Sequence, residues 1–223
     1  MDTKHVLPSD IERTSMAIIA SELEERGIQI PPEQQAVVRR VIHTSADFDY
    51  AENLKFTPGA VTQGVEALRK GAQIITDTNM ALAGISKPSL KKTGGAAYCY
   101  MADPAMAEAA KQQGTTRAAA CMRYGAEQYP AGIFAVGNAP TALITLSELI
   151  RQGLRPSLII AVPVGFVNVT ESKEEIFQIC ESCGVPVIAA MGRKGGSNVA
   201  AAICNALLYT AVDALDPSRR GWN

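Results

Sequence analysis

The sequence contains few histidines and no long apolar run near its start, and each of these shortages excludes a class of function. Of the 223 residues, two are histidines and 5% are aromatic. So few imidazoles do not supply the ligands of an ordinary transition-metal site. Because no early segment has the apolar length of a signal peptide or a membrane span, the sequence predicts a cytoplasmic protein without a membrane partner.

The charges are balanced, with 21 basic and 22 acidic residues and a net charge of -1. No run of lysine and arginine is longer than a pair, whereas proteins that bind nucleic acids usually carry a basic excess on one face. We therefore expect no nucleic-acid partner.

The length and composition are those of one globular domain. With 47% hydrophobic residues, the chain is long enough to bury a single large core. No repeat, linker or low-complexity tract divides it. The sequence predicts one domain over residues 1–223, in which a helical N-terminal part (8–45) packs on an α/β core (54–215).

From residue 57 onward, short apolar segments rich in valine and isoleucine alternate with amphipathic segments. Such continuous apolar runs are typical of strands that are covered on both faces. The alternation predicts an α/β fold, a single-domain sandwich with a mostly parallel sheet flanked by helices. The predicted strands are residues 73–78, 96–101, 132–137, 157–164 and 185–191.

Two helices are predicted before this region. The first begins at Pro8 or Ser9, with Ser9 as its cap, and ends at Gly27. The second begins at the proline pair 31–32 and ends on His43. The sequence thus places His43 between a helix and a polar turn.

His43 is the residue best suited to proton transfer. Histidine titrates at a pKa of about 6.5, so an imidazole beside a buried helical face can lend or accept a proton. On position alone, a helix-end histidine bonded to a backbone carbonyl is an equal alternative. Arg40 can share one side of the helix with His43, although a solvated surface arginine would give the same pattern. The other histidine, His5, lies in the polar N-terminal tail.

Two carboxylates, Asp47 and Asp49, follow His43 closely. Because alternate residues of an extended segment point to opposite sides, we do not expect them to form a paired-carboxylate site. One of them is predicted to orient the turn or to cap a helix.

Glycine, hydroxyl and amide residues follow the predicted strands. In parallel sheets, ligands bind beyond the carboxyl ends of the strands. Glycines let a ligand approach the backbone, and N–H groups at helix starts attract carboxylate or phosphate. We therefore expect an anionic ligand at this edge. The loops concerned are residues 76–79, 136–141, 163–172 and 191–198.

The most distinctive loop, at residues 192–198, combines Arg193 and Lys194 with Gly195 and Gly196 before a helix. A P-loop places its lysine after the glycines, and no G-x-G-x-x-G follows the first strand, so a nucleotide site is disfavoured. An anion cradle fits better. The alternative is a glycine turn that tightens strand-to-helix packing.

Five cysteines form an odd set, and Cys180 and Cys183 spell C-x-x-C. In redox proteins this motif starts a helix, whereas here it closes one just before Gly184. No second pair lies at zinc-ligand spacing. The cysteines are predicted to be small buried hydrophobes in a reducing compartment.

The sequence also resembles the precorrin-8 methylmutases of cobalamin biosynthesis. The similarity extends along the chain, and the motifs have the order and spacing of that family. The matching segments, which lie between residues 11 and 198, are IERTSMAII, RVIHTSADF, TTRAAA, AVGNAPTAL, PVGFVNVTESKE and GRKGGSN.

The resemblance implies an isomerase that moves a methyl group between ring carbons eleven and twelve of a corrinoid tetrapyrrole. Its substrate would be cobalt-precorrin-8 or precorrin-8X, and its product cobyrinate or hydrogenobyrinate. Such enzymes need no organic cofactor, and any cobalt is carried by the substrate. The run at residues 47–56 is more similar to the members that use the cobalt-containing substrate. A homodimer is also implied.

By the same resemblance, His43 is the catalytic residue, which exchanges a proton with the macrocycle. Ser15, Arg40 and Arg117 are implied to hold the substrate, and no residue is implied to bind a metal. The glycine-rich loop is implied to bind substrate carboxylates through Arg193, Lys194, Gly195, Gly196 and Ser197.

Two other functions stay open at the level of the sequence. A protein that binds or carries a tetrapyrrole without converting it would need the same loops, but it would not need His43. A nucleotide-dependent enzyme is the third possibility, and the order of residues in the glycine-rich loop disfavours it.

Overall fold

The computed structural model describes residues 7–220. Its six strands there are β1 (Leu54–Phe56), β2 (Ile74–Thr76), β3 (Ala97–Tyr98), β4 (Ile133–Val136), β5 (Leu158–Ala161) and β6 (Val187–Ala190). They form one sheet in the order β1-β6-β5-β4-β2-β3, in which β1 is antiparallel to β6 and the other neighbours are parallel. The predicted α/β fold with a mostly parallel sheet is confirmed.

Helices cover both faces of this sheet. In residues 7–220 they are α1 (Pro8–Glu25), α2 (Gln35–Ser45), α3 (Tyr50–Asn53), α4 (Ala60–Arg69), α5 (Asn79–Gly84), α6 (Lys87–Thr93), α7 (Pro104–Gln112), α8 (Arg117–Gln128), α9 (Pro140–Arg151), α10 (Val169–Cys183), α11 (Ser197–Ala211) and a 3-10 turn (Pro217–Arg220). Across that span, no helix combines the length and the apolarity needed to cross a bilayer.

The central strands supply side chains to two hydrophobic cores, one on each face. Ile133 and Leu158 pack with α1, α2, α4 and α11, whereas Phe134 and Ile159 pack with α8, α9 and α10. Because successive side chains of a strand point to opposite faces, both sets must be apolar. This explains the continuous runs of valine and isoleucine in the sequence.

The start of α1 at Pro8 agrees with the prediction, whereas its cap does not. Leu7 is the N-cap residue, and no side chain in the described part of the chain caps this helix. Ser9 is therefore not the cap. Pro8 begins the helix without an N–H that needs a partner, and the amide of Asp10 donates to the Leu7 carbonyl at 3.0 Å. The predicted end is confirmed, because Gly27 adopts a φ of +69° just beyond the helix.

The second helix, α2, is shifted relative to the prediction. It begins at Gln35 because residues 31–34 form a separate turn, closed by a backbone hydrogen bond of 2.9 Å. It also continues past His43 to Ser45. His43 therefore lies within the last helical turn rather than at its end.

The sequence pattern does not predict β1, α5 or α6, which are too short to show a period. Leu54 of β1 lies opposite Ala190, and the Met191 amide donates to the Asn53 carbonyl at 2.8 Å. This antiparallel pairing brings the segment after α2 to the edge where β6 ends. It thereby places the C-terminal turn of α2, which carries His43, beside the carboxyl edge of the sheet.

Candidate active site

A cleft of about 520 Å³ lies between α1, α2 and α11. Concave sites with a few convergent polar groups are where small ligands usually bind. The polar side chains that line this cleft come from distant parts of the chain and are Glu12, Arg40, His43, Asn198, Asn205 and Tyr209.

His43 lines the cleft from the last turn of α2, and its side chain is largely exposed. Partial burial lowers the pKa of the imidazole, and the Arg40 guanidinium lowers it further, against an opposing effect of Glu12. The imidazole has no hydrogen-bond partner among residues 7–220, so the alternative of a histidine satisfied by a carbonyl is not observed. His5 lies outside the described residues.

A buried ionic cluster forms the wall beside His43. Glu12 accepts a hydrogen bond of 2.5 Å from Arg40 and two from Arg220, at 2.7 and 2.8 Å. The Tyr209 ring lies 3.8 Å from the Arg220 guanidinium and 5.3 Å from that of Arg40. Burial raises the pKa of Glu12, but the two arginines outweigh this effect and lower it overall. The Arg40 guanidinium, which lines the cleft, brings positive charge to this wall and favours a bound anion.

The glycines of the β6–α11 loop are required by close packing. A side chain at Gly195 would place its Cβ only 2.2 Å from the Val162 carbonyl oxygen. The amide of Gly196 donates to the same carbonyl at 2.8 Å, and its φ of +136° favours glycine. The glycines therefore tighten the packing of this loop, as the alternative interpretation of the sequence predicts. The same loop also leads into a helix.

The first three amides of α11 are open, in the sense that none has a hydrogen-bond acceptor among the described residues. Ser197, Asn198 and Val199 have no acceptor for their N–H groups among residues 7–220. The hydroxyl of Ser197 is 2.8 Å from that of Thr78, so its side chain does not cap the helix. The N-terminus of a helix attracts anions through free N–H groups and the helix dipole. Because Asn198 also lines the cleft, this anion site adjoins His43.

The β4–α9 loop has a different partner. The amides of Gly137, Asn138 and Ala139 donate to the carboxylate of Asp77 at 2.8, 2.8 and 2.7 Å. Burial raises the pKa of Asp77, and the three donors, which stabilise the carboxylate, oppose this rise. An anion from the protein itself thus occupies this loop. The sequence signal was an aspartate directly after a buried strand.

Asp47 and Asp49 converge on one cation, contrary to the expectation from alternation. The ammonium of Lys194 lies 2.6 Å from the Asp47 carboxylate and 2.5 Å from that of Asp49. The two residues lie in a turn and not in a strand, so their side chains need not diverge. Asp47 also accepts the amide of Asp49 at 3.0 Å and so orients the turn, as predicted. Lys194 consequently joins the α2–β1 segment to the glycine-rich loop.

The cysteine pair lies at the C-terminal end of α10. Cys180 is fully buried, and its burial raises the pKa of the thiol to about 12. A thiol with such a pKa is not a thiolate at neutral pH. This environment agrees with the prediction of a small buried hydrophobe.

Comparison with known proteins identifies the family. The sequence profile of precorrin-8X methylmutase matches residues 10–210. The chain belongs to the precorrin-8X methylmutase family. The cobalt-precorrin-8 methylmutases of Salmonella typhimurium and Priestia megaterium are 45% and 42% identical to it. These alignments cover 91% and 92% of this chain, and 95% and 89% of the relatives.

A solved structure agrees with this assignment. The precorrin-8X methylmutase of Thermus thermophilus superposes with a TM-score of 0.81 at 38% identity, over 91% of this chain and 98% of that one. The resemblance noted in the sequence is confirmed, and the chain is an enzyme, an isomerase of the methylmutase type. The alternatives of a carrier and of a nucleotide-dependent enzyme receive no support.

In this methylmutase, the fold brings together part of the residue set implied by the resemblance. Arg40 and His43 line the cleft, and the glycine-rich loop adjoins it. Arg117 starts α8 on the opposite face of the sheet, where its guanidinium donates to the Met101 carbonyl at 3.2 Å. Ser15 is half-buried on α1 and does not line the cleft.

The side chain of Arg193 is directed elsewhere. Its guanidinium lies 5.4 Å from the ring centre of Phe166, which is 82% exposed. The sequence pattern does not predict Glu12 and Tyr209, which line the cleft, or Arg220, which binds Glu12. Their contacts join positions up to 208 residues apart, and no local spacing encodes them.

Proposed function

We propose that the protein converts cobalt-precorrin-8, or its metal-free counterpart precorrin-8X, to cobyrinate or hydrogenobyrinate by moving a methyl group between ring carbons eleven and twelve. The observation that carries this proposal is the position of His43, which has no hydrogen-bond partner within residues 7–220, in a cleft that adjoins the start of α11. The names of the Salmonella and Priestia relatives favour the cobalt-containing substrate.

The substrate is a broad ring fringed with carboxylates, and the site offers matching groups. The open amides at the start of α11 receive one carboxylate, and the guanidinium of Arg40, which lines the cleft, attracts another. Arg117 lies at the start of α8 and holds the far side of the ring. These contacts fix the macrocycle, and they leave the chemical step to the residue beside it.

His43 exchanges one proton with the macrocycle. The imidazolium donates a proton to the ring, the methyl group migrates, and the imidazole takes the proton back, so that the product is an isomer of the substrate. The lowered pKa of His43 makes the imidazolium a stronger acid, although it reduces the charged fraction at neutral pH. Carboxylates of the bound substrate restore that fraction by favouring the charged form.

We further propose that no organic cofactor takes part and that any cobalt enters with the substrate. The migrating methyl group and the conjugated system both belong to the macrocycle, so the protein need supply only binding groups and a proton. From the family resemblance we also expect a homodimer that acts in the cytoplasm.

The test replaces His43 with Asn and measures single-turnover conversion and corrinoid affinity side by side. General acid–base assistance is worth about a hundredfold to ten-thousandfold, so the rate should fall by that factor while affinity changes little. Since the loss belongs to the transition state, added substrate should not restore the rate.

Ser45→Ala is a suitable control for this test. The Ser45 hydroxyl donates to the Val41 carbonyl at 2.8 Å in the same helical turn, and it does not line the cleft. The control should convert substrate normally. A His43→Asn variant that converts bound substrate at a near-normal rate would remove His43 from the mechanism.

A further inference from the structure

A lysine is enclosed in the protein, and residues 7–220 provide no acidic partner for it. The side chain of Lys173, on the first turns of α10, is 0% exposed and is among the largest fully buried side chains. No carboxylate among residues 7–220 lies within ion-pair distance of its ammonium. Burial lowers the pKa of Lys173 to about 8. Burial of an ammonium is costly, so its contacts identify what it does.

Those contacts are with the glycine-rich loop. The ammonium donates to the carbonyl oxygens of Gly192 and Lys194, both at 2.8 Å. The carbonyl between them, that of Arg193, accepts the amide of Gly165 at 3.3 Å. Three consecutive carbonyl groups of the loop are therefore held by the β5–α10 region.

We propose that Lys173 is a positioning residue for substrate binding, because it holds the carbonyl oxygens of the loop away from the anion site that the next residues form. The loop leads directly into Gly196, the N-cap of α11, and into the open amides that follow. A carbonyl oxygen turned towards a carboxylate would repel it, whereas an amide attracts it. The inference rests on the proposed function, since it assumes a carboxylate-bearing ligand at this site.

The chemistry of lysine suits this role. Its compact charge and three donors can bind two carbonyl oxygens at once, which a neutral side chain of similar length cannot do. The amine has no access to substrate, so it acts through the loop and not on the macrocycle.

The neighbouring residue provides a matched control. Ser172 is also buried, at 2% exposure, and its hydroxyl donates to the Val169 carbonyl at 3.0 Å in its own helix. Ser172→Ala therefore disturbs the same turn of α10 without touching the loop. Lys173→Met keeps the length of the lysine side chain but removes its charge and its donors.

The experiment combines two measurements on these variants. The first is hydrogen exchange of the Gly196 amide in the free protein, which Lys173→Met should accelerate by about tenfold or more. The second is affinity for cobyrinate by visible absorption, which should weaken by about tenfold or more as a charge-assisted contact is misaligned. Single-turnover conversion at saturating substrate should stay within about threefold of wild type, because the loss is one of binding.

Ser172→Ala should leave both quantities unchanged. If Lys173→Met does not fold, Lys173→Gln, which retains a neutral NH2 group but not the charge, is measured in its place with the same expectations at smaller size. Unchanged cobyrinate affinity, or equal losses in the Lys173 and Ser172 variants, would overturn the assignment. If wild type binds no cobyrinate, the proposed function fails, and the exchange of Gly196 still decides whether Lys173 holds the loop.

Discussion

Two loops at the same edge of the sheet look alike in sequence and are used in opposite ways. The β4–α9 loop directs three amides at Asp77, a carboxylate of the protein itself. The β6–α11 loop has its carbonyl groups held by Lys173, and the amides that follow it have no partner among residues 7–220. The amides of the β4–α9 loop thus bind a carboxylate of the protein, whereas those that follow the β6–α11 loop are proposed to bind a carboxylate of the substrate.

A glycine-rich loop at the end of a strand indicates that amides are accessible, but it does not identify the anion that they bind. Glycine and small polar residues signal that backbone amides are accessible at a helix start. They do not say which anion those amides receive. The deciding residues, Asp77 and Lys173, lie on neighbouring elements, and their roles depend on burial and on direction.

The largest expected effect comes from removing the carboxylate that binds the amides of the β4–α9 loop. Asp77→Ala leaves three amides without their acceptor, which should cost about 3 kcal/mol or more in the free energy of unfolding. Urea denaturation measures this loss. The control is Asp103→Ala, which removes an exposed carboxylate that accepts the Ala105 amide at 2.9 Å and should cost about 1 kcal/mol. Equal losses would mean that Asp77 does not fix the β4–α9 loop.

The second prediction concerns Arg117, which is proposed to bind the side of the macrocycle that lies away from α11. Arg117→Ala should weaken cobyrinate binding about tenfold to a hundredfold, because it removes a charge-assisted contact to a substrate carboxylate. Arg123→Ala, on the same helix, removes an arginine that is paired with Glu148 at 2.6 Å and should leave affinity unchanged. If Arg117→Ala also binds normally, Arg117 belongs to the solvated surface.

The third prediction is a dependence on pH. Since the pKa of His43 is lowered and the protonated form donates, kcat/KM should fall about tenfold per pH unit above a midpoint below about 6.5. The midpoint in kcat should lie higher, because bound carboxylates favour the imidazolium. Both profiles follow from initial rates across pH. Coincident midpoints, or an ionisation that persists in His43→Asn, would contradict this account.

The smallest effect is expected from the cysteine pair, which belongs to neither loop. Replacement of Cys180 and Cys183 by Ala should cost modest stability and leave turnover intact, since the buried thiol of Cys180 and the partly buried thiol of Cys183 act here as small hydrophobes. The measurement is activity of the folded double variant, together with its melting temperature. Loss of turnover without loss of folding would assign the pair a chemical role.

Sequence patterns predict the elements that recur along the chain and the candidate site residues whose type is rare in it. The parallel strands are predicted because their apolar runs are continuous, and His43 because the chain has so few histidines. The strand β1 is three residues long and carries no periodic signal. Without it, the position of α2 beside the end of β6 could not be predicted.

Long-range contacts account for the rest. The resemblance implies that Arg40 holds the substrate, and the structure adds its contact with Glu12, which Arg220 also binds from the other end of the chain. Lys194 likewise meets Asp47 across 147 positions. Residue type and spacing report none of these pairings, because each depends on how α1, α2 and α11 pack.

We predict that the open amides of α11, and not those of the β4–α9 loop, bind the substrate anion. Amide hydrogen exchange with and without cobyrinate tests it directly. In the free protein, Gly137, Asn138 and Ala139 should be protected and the amides of residues 197–199 should exchange rapidly. Cobyrinate should slow exchange at residues 197–199 by about tenfold or more and leave the first set unchanged. Exchange that stays rapid at residues 197–199 in the cobyrinate complex would contradict the claim.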